Sequence, residues 1–373
     1  MSHGFSNAQV LPGELMVEIL SRLPVKELMR FRCISKSLNS LVFDPTMVKL
    51  HLQRSSKDTP ILFTQSNCTL DQPFLLRCTS IKSLLTDPSS TLNDTNDSIP
   101  FQRKYGGIIG VCNGLVCIQC VNQACKKVWV QFWNPATRLR SRNSPSMKVV
   151  VGDMKIGFGY DESNDTYKVV AVLWPPSNGD HKQQKIELRV HNLGDNCWRK
   201  IAIGDDFPTC VVQHKGEFLN GTINWAAQLA SKEYVVFSFD IKNETYQCFS
   251  LPVDEWFGLR PMLRVFGGCL CLSHLYNGKH YGLWQMKEFG NPKSWTLLMT
   301  VGYDHLLSRY SNFPHPLCIS NNNDVLLLIN NKIHQLIRYD RRDDEVEQFD
   351  ISHKRIILNS TNYVQSLVLP YRN

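Results

Sequence analysis

Four cysteines, Cys112, Cys117, Cys120 and Cys125, stand in a row whose spacing invites a zinc site, because structural zinc is held by four thiolate or imidazole ligands. The residues around them argue for a different role. The run holding Cys117 and Cys120 is apolar and reads as a strand, and positions three apart on a strand point to opposite faces. No second Cys-x-x-Cys and no histidine pair accompanies them. They are read as small buried thiols, and Cys269 and Cys271, which share a face, as core. Asp304-His305 and His315 lie near serines, but no spacing orients them as a nucleophile and its base. Gly106 to Gly114 is glycine-rich, yet it lacks the phosphate-loop pattern and opens no helix. No catalytic set, metal or cofactor is therefore expected.

Two features could bind rather than react. Arg138, Arg140 and Arg142 alternate, so an extended backbone would project all three to one side. They are either a solvated strand face or a contact for an acidic or phosphorylated partner, which Arg grips with two parallel hydrogen bonds. Trp174 and the pair Trp256-Phe257 fall in long insertions between apolar runs. Either they pack on their own strands or they serve as the aromatic anchors that interfaces favour. The net charge of +8 is concentrated, since residues 101–155 hold nine Lys/Arg against Asp153 alone. That balance is too mild to place nucleic-acid binding first.

The elements that must position these residues fall into two unlike halves. Leu11 to Leu52 reads as helices. Pro12 suits the first turn of a helix, where its missing N–H costs nothing, and Glu14 and Glu18 suit the positive end of its dipole. Leu15, Ile19 and Leu23 recur every fourth residue, with Met16 and Leu20 one step round. Pro24 ends this helix and can open a second, carrying Leu28 and Phe31. Ile34, Leu38, Leu41 and Val42 continue the periodicity, Asp44-Pro45 is a turn, and Val48, Leu50 and Leu52 form a last apolar stretch. Forty residues cannot bury so many apolar side chains against one another. The surplus either caps the downstream domain or meets a partner.

The same stretch resembles the F-box, through Leu11-Pro12, Glu18-Ile19-Leu20, Arg22 to Lys26, Leu28, Arg30 to Cys33, Lys36-Ser37 and Asn39 to Leu41. It departs at Ser35 and Leu38, where that motif has Cys and Trp. Leu38 keeps the apolar contact while giving up part of an indole's area, about 1 kcal/mol by area. The resemblance implies a three-helix unit that docks on a Skp1-like protein, and through it on a cullin–RING scaffold. The docking residues would be Leu11, Pro12, Leu15, Ile19, Leu20, Leu23, Pro24, Leu28, Ile34 and Leu38. Under this reading the helices bind Skp1 without help from the rest of the chain.

Past Leu52 the composition changes. All eight tryptophans lie at or beyond Trp129 and all twelve tyrosines at or beyond Tyr105. Short runs rich in Val, Ile, Phe, Tyr and Trp alternate with Gly/Asn/Asp turns, the pattern of an all-β domain. Pro60–Thr64 and Phe74–Cys78 read as strands, and Asp87–Ser98 as a mobile loop. A repeat of about fifty residues follows, with strand pairs beginning near Gly110, Gly157, Gly216, Gly267 and Cys318 and others near Val128, Leu188, Val235, Tyr281 and Leu336. Four short antiparallel strands per repeat describe a propeller blade, which cannot bury both faces alone and must stack in a ring. Five blades are legible. A sixth would join the strands of residues 60–105 to the terminal run from Tyr363. The expected class is mainly β with a small α domain: an F-box followed by a kelch-like β-propeller. The expected division is a disordered 1–10, an F-box at 11–52, a linker with first strands at 53–105 and the propeller at 106–373.

NGLVC, FWNPATR, GFGYDESNDTYKVV, FLNGTINW, FDIKNETY and LWQMKEFGNPKSWT resemble the F-box-associated interaction domain of plant F-box proteins, a group that includes S-locus F-box-like receptors. The two resemblances together imply a non-catalytic substrate-recognition subunit of a ubiquitin ligase, whose protein substrate the sequence does not name. The alternatives are a propeller lectin or scaffold that does not engage Skp1, and a propeller enzyme. There is no apolar window long enough to span a membrane and no secretory leader. Thirteen scattered cysteines then read as reduced thiols of a cytoplasmic or nuclear protein.

Overall fold

The computed structural model describes residues 12–55, 61–67, 74–88, 99–101, 105–122, 124–149, 154–174, 186–252, 260–276, 279–302, 314–330, 335–350 and 355–371. Leu11, the 1–10 segment, most of Asp87–Ser98, Asp304-His305, Trp256 and Phe257 lie outside them.

The helices begin and end where local chemistry directs. Pro12 and Pro24 sit at the N-caps of α1 (Gly13–Leu20) and α2 (Val25–Phe31). The chain then turns, and Ser35 caps α3 (Lys36–Val42) by accepting the Leu38 N–H at 3.1 Å. A fourth helix, α4 (Pro45–Arg54), follows where only a turn and an apolar stretch are expected. Asp44 caps it, accepting from the N–H groups of Thr46 and Met47, and Pro45 occupies its first turn. Ser35 thus exchanges the family's thiol for an N-cap. Ser35→Ala is expected to lower the stability of the helical unit by about 1 kcal/mol, measured by urea denaturation of the full chain.

Among the described residues the β half forms six antiparallel sheets of four or five strands. The first holds β1 (Ile61–Asn67), β2 (Phe74–Thr79) and β3 (Ile99–Phe101), with a short helix α5 (Ile81–Thr86) between β2 and β3. The second holds β4 (Tyr105–Cys112), β5 (Leu115–Asn122), β6 (Lys127–Asn134) and β7 (Leu139–Arg140), with β8 (Met147–Lys148) also on β6. The third is β9 (Met154–Asp161), β10 (Thr166–Leu173), β11 (Glu187–Asn192) and β12 (Arg199–Ile201). The fourth runs from β13 (Cys210–Val211) and β14 (Glu217–Leu219), both on β15 (Thr222–Gln228), to β16 (Tyr234–Asp240) and β17 (Thr245–Ser250). The fifth is β18 (Met262–Phe266), β19 (Cys269–Tyr276), β20 (His280–Met286) and β21 (Trp295–Gly302). The sixth is β22 (His315–Ile319), β23 (Val325–Asn330), β24 (Gln335–Asp340) and β25 (Glu345–Asp350). The last strand, β26 (Arg355–Asn362), returns to pair with β1 and becomes the innermost strand of the first sheet.

Successive innermost strands touch, from β26 through β4, β9, β14 and β18 to β22. The blades stack face to face, so the second strand of a blade is covered on both sides. β10 is buried at every position; Val169 and Ala171 face one inter-blade core and Val170 and Val172 the next. Glycines on the innermost path permit this approach. A Cβ on Gly157 would lie 2.3 Å from Ile223 and 2.8 Å from Trp225, and one on Gly216 would lie 2.4 and 2.5 Å from the same pair. The fully buried Trp225 is seated against these two backbones.

A turn recurs at four hairpins, between β6 and β7, β9 and β10, β16 and β17, and β24 and β25. Asn134, Asp161, Asp240 and Asp340 each accept backbone N–H bonds from the residues just ahead. Each turn ends in a left-handed residue: Arg138, Asp165, Glu244 and Asp344, a conformation that the Asx turn sets up.

The ring closes as the two ends of the domain meet, with a correction. The closing strand is Arg355–Asn362, and the Tyr363–Pro370 run forms no strand. That run crosses from the ring to the helices, and its backbone is satisfied by side chains instead. Asn134 Nδ2 donates to the carbonyls of Ser366 and Val368 at 2.9 and 2.8 Å, and Ser366 Oγ donates to the Asn113 carbonyl. Leu367, fully buried, enters the core made by Leu20, Val25, Leu28, Val42 and Met47, and Ala136 packs beside it. The helical core is therefore completed by the propeller and its tail.

Candidate functional site

α1 turns one face inward and leaves another free. Leu20 packs on the Leu367 core, whereas Leu15 and Ile19, one helical turn apart, are 51% and 52% exposed. Ile34, in the turn after α2, is 69% exposed. Pro12 and Pro24 are exposed, and Leu23 and Leu38 are partly buried at the edge of the core. Leu20 and Leu28 are buried, their side chains packed in the core that holds the helices to the tail. The surplus of apolar side chains is thus divided: one face caps the propeller and the other is open.

The open face sits on a braced frame. Glu18 accepts from Arg22 at 2.6 Å and from Arg54 of α4 at 2.6 Å, while Arg54 also reaches Ser21 Oγ at 2.5 Å. These guanidinium hydrogen bonds, Arg22 first and then Arg54, hold the Glu18 carboxyl below its ordinary value. His51 is hydrogen-bonded to the Leu23 carbonyl at 3.0 Å, and burial pushes its imidazole pKa down. Lys49 pairs with Asp165 of the propeller at 3.1 Å.

The three arginines do not share a face. Arg138 occupies the left-handed end of the Asn134 turn, which breaks the alternation. Arg140 pairs with Trp133 across the ladder and stacks on its ring at 4.8 Å. Arg140 and Arg142 border one groove, together with His191, Asp195 and Tyr371. Trp174 packs in the third and fourth blades' shared core and donates its indole N–H to the Thr209 carbonyl at 3.1 Å. The thiols divide as strand parity requires. Cys112 and Cys117 enter one inter-blade core and Cys120 another, Cys125 is exposed, and burial pushes the Cys117 thiol pKa far up.

Sequence reasoning misses one cluster altogether. All six innermost strands enclose an axial cavity of about 120 Å³, lined in part by Gly110, Phe158, Glu217, Arg264, Leu317 and Asn362, and by Lys215 just before β14. Glu217 and Arg264 are 47 positions apart but stand three residues before the first hairpin turns, Asn220-Gly221 and Gly267-Gly268, of consecutive blades. Aligning the repeats position by position is the one signal that would have paired them.

A helical head with a free apolar face, fixed to a ring that carries its own grooves and loops, defines an adaptor with two binding ends. Comparison with known proteins agrees. Residues 61–336 match the F-box associated beta propeller domain, and residues 9–48 match the F-box domain. An F-box/kelch-repeat protein of Arabidopsis thaliana is 33% identical, across 85% of each chain. F-box protein CPR1 of the same plant is 24% identical across 96% of this chain and 89% of its own. TolB from Acinetobacter baumannii shares the fold alone, with a TM-score of 0.50 at 10% identity over 85% of this chain and 70% of that one. This chain belongs to the plant F-box proteins that carry an F-box-associated β-propeller, and it is an F-box substrate adaptor. No helix among the described residues is long and apolar enough to cross a membrane.

Proposed function

We propose that this chain is the substrate-recognition subunit of a Skp1–cullin–F-box ubiquitin ligase. The observation that carries the reading is the open apolar face of Leu15, Ile19 and Ile34 within a segment that matches the F-box. Pro12, Leu15, Ile19, Pro24 and Ile34 form the Skp1 contact, with Leu23 and Leu38 at its edge. Covering the half or so of each such side chain that is still exposed gains about 1 kcal/mol apiece. The propeller holds a protein substrate, with Arg140 and Arg142 at one of its grooves and Trp256 and Phe257 as further contacts. The chain itself makes and breaks no bond. It raises the effective concentration of a substrate lysine near a charged ubiquitin carrier. Its site of action is the cytoplasm or nucleus.

The test is co-purification of the full chain with a recombinant Skp1-like protein. The double variant Ile19→Asp/Ile34→Asp is expected to weaken binding at least a hundredfold, since buried interface anchors are worth about 2 kcal/mol or more each. Its melting temperature should stay that of the wild type, because neither side chain contributes to the core. Retained binding in the double variant would remove this assignment.

A further inference from the structure

We infer that Ser35, within the open face of the helical head, is a phosphorylation site for an arginine-directed serine kinase, and that phosphate there blocks docking on the Skp1-like partner. The inference rests on the adaptor reading, because the contact it closes is the one proposed above.

Three observations meet at this residue. The first is access. Cys33 to Ser37 are exposed without a break, whereas Phe31, Arg32 and Leu38 on either side are partly covered. The Ser35 backbone is extended, and its hydroxyl oxygen accepts the Leu38 N–H at 3.1 Å, a bond that does not use the hydroxyl proton. The second is sequence. Arg32 and Arg30 stand three and five positions before Ser35, and no other serine or threonine of the chain has arginine at both places. Ser80 and Ser141 have an arginine three places before them, but Arg77 is buried ahead of the first, and Ser141 is itself buried. Arg30 meets Glu27 at 2.8 Å on the surface, and Arg32 lies over the Phe43 ring at 5.4 Å. Exposed pairs of this kind are weak and give way to the paired carboxylates that grip a guanidinium. The third is place. Ser35 follows Ile34, 69% exposed, and holds the N–H of Leu38 at the edge of the same face.

In the reaction, Ser35 Oγ bonds to the γ-phosphorus of a nucleoside triphosphate as the bond to the β-phosphate oxygen breaks. The diphosphate leaves, and the hydroxyl proton passes to the kinase. The product carries about two negative charges at pH 7. Its oxygens accept the Leu38 N–H as the hydroxyl does, so α3 keeps its cap. Carried into an apolar contact, the dianion must shed its water, which is costly. The thiol that the F-box motif has at this position is no acceptor for a serine kinase, so the switch belongs to this chain. Docking would cover Ser35, so the phosphate must be added before assembly.

The experiment treats the full chain with ATP and an arginine-directed serine kinase, locates the phosphate by mass spectrometry, and measures affinity for a recombinant Skp1-like protein by calorimetry. Phosphate is expected at Ser35. It should weaken binding at least about a hundredfold, since desolvating an ion is costly, with the melting temperature held. Arg30→Gln/Arg32→Gln should slow its addition at least tenfold, and prior binding of the Skp1-like protein should protect Ser35. Ser35→Ala should take up no phosphate there and show the same affinity before and after treatment. Full chain made with phosphoserine encoded at position 35 separates the effect of the phosphate from the efficiency of the kinase. If the unmodified chain does not bind the Skp1-like protein, the adaptor reading fails and this inference falls with it. If the unmodified chain binds and the phosphorylated chain binds as tightly, or the kinase leaves Ser35 bare, this inference alone is overturned.

Discussion

Lys168→Met is expected to destabilise the propeller by about 3–5 kcal/mol, the cost of stranding a buried charge by removing its partner. The lysine side chain is 5% exposed and its ammonium joins two blades. It lies 2.9 Å from Asp161 on its own blade and 3.0 Å from Glu244 on the next, and donates to the Ile241 carbonyl at 2.6 Å. Arg199 grips Glu244 from the other side at 2.7 and 2.8 Å. Methionine fills the space but leaves the fully buried Asp161 with only its turn bonds.

The pH dependence fixes the mechanism of that loss. Burial by itself would raise the Asp161 carboxyl, but hydrogen bonds from Asn164 and Lys168 outweigh it and hold the group below its ordinary value. The hydrogen bond from Arg199, then that from Lys168, lowers Glu244 against its burial. Carboxyls depressed in the folded state contribute stability that is complete above their unfolded values, near 4, and is lost as pH falls through the folded ones. Wild type and variant should therefore differ most above about pH 5 and converge in acid. Urea denaturation at pH 7 and pH 3 reads both numbers. An equal gap at the two pH values would show that packing, not charge, carries the effect.

Leu367→Ala is expected to loosen the helices from the ring. Truncating a fully buried leucine costs about 2–5 kcal/mol through lost transfer energy and the cavity left behind. Here the cavity opens between Leu20, Val25, Leu28, Val42 and Met47, so the loss falls on helical docking while β26 still closes the ring. Amide exchange in residues 13–54 should rise at least about thirtyfold, since each 1.4 kcal/mol is tenfold, and exchange in the strands should hold. Equal protection in both parts would show that the helices stand alone, as the sequence reading supposes.

Much of the fold is legible because its causes are local. Pro12 and Pro24 place two helix starts, and the Asp44-Pro45 pair carries a cap-and-first-turn signal for the fourth, which reading it as a mere turn overlooks. The fifty-residue repeat is legible because four of the blades carry the same turn chemistry, at Asn134, Asp161, Asp240 and Asp340. The errors arise where one local pattern serves two outcomes. Tyr363–Pro370 alternates like a strand, but its carbonyls are taken by the Asn134 amide and its leucine by the helices. Arg138 to Arg142 alternate on paper, while the turn's left-handed end rotates the first away from the others.

The residues by themselves determined the family, the helical head, the ring of blades and the strand parity that separates Cys117 from Cys120. Caps, alternation and repeat period act within a few residues, and a linear reading captures them. Only the tertiary structure decided which apolar face is open, that Leu20 and Leu28 face the Leu367 tail, that Lys168 binds two blades, and that Lys215, Glu217 and Arg264 share one cavity. Those pairings join positions tens to hundreds apart. They follow from ring closure and inter-blade packing, where a side chain's partner is set by which backbones the fold brings together.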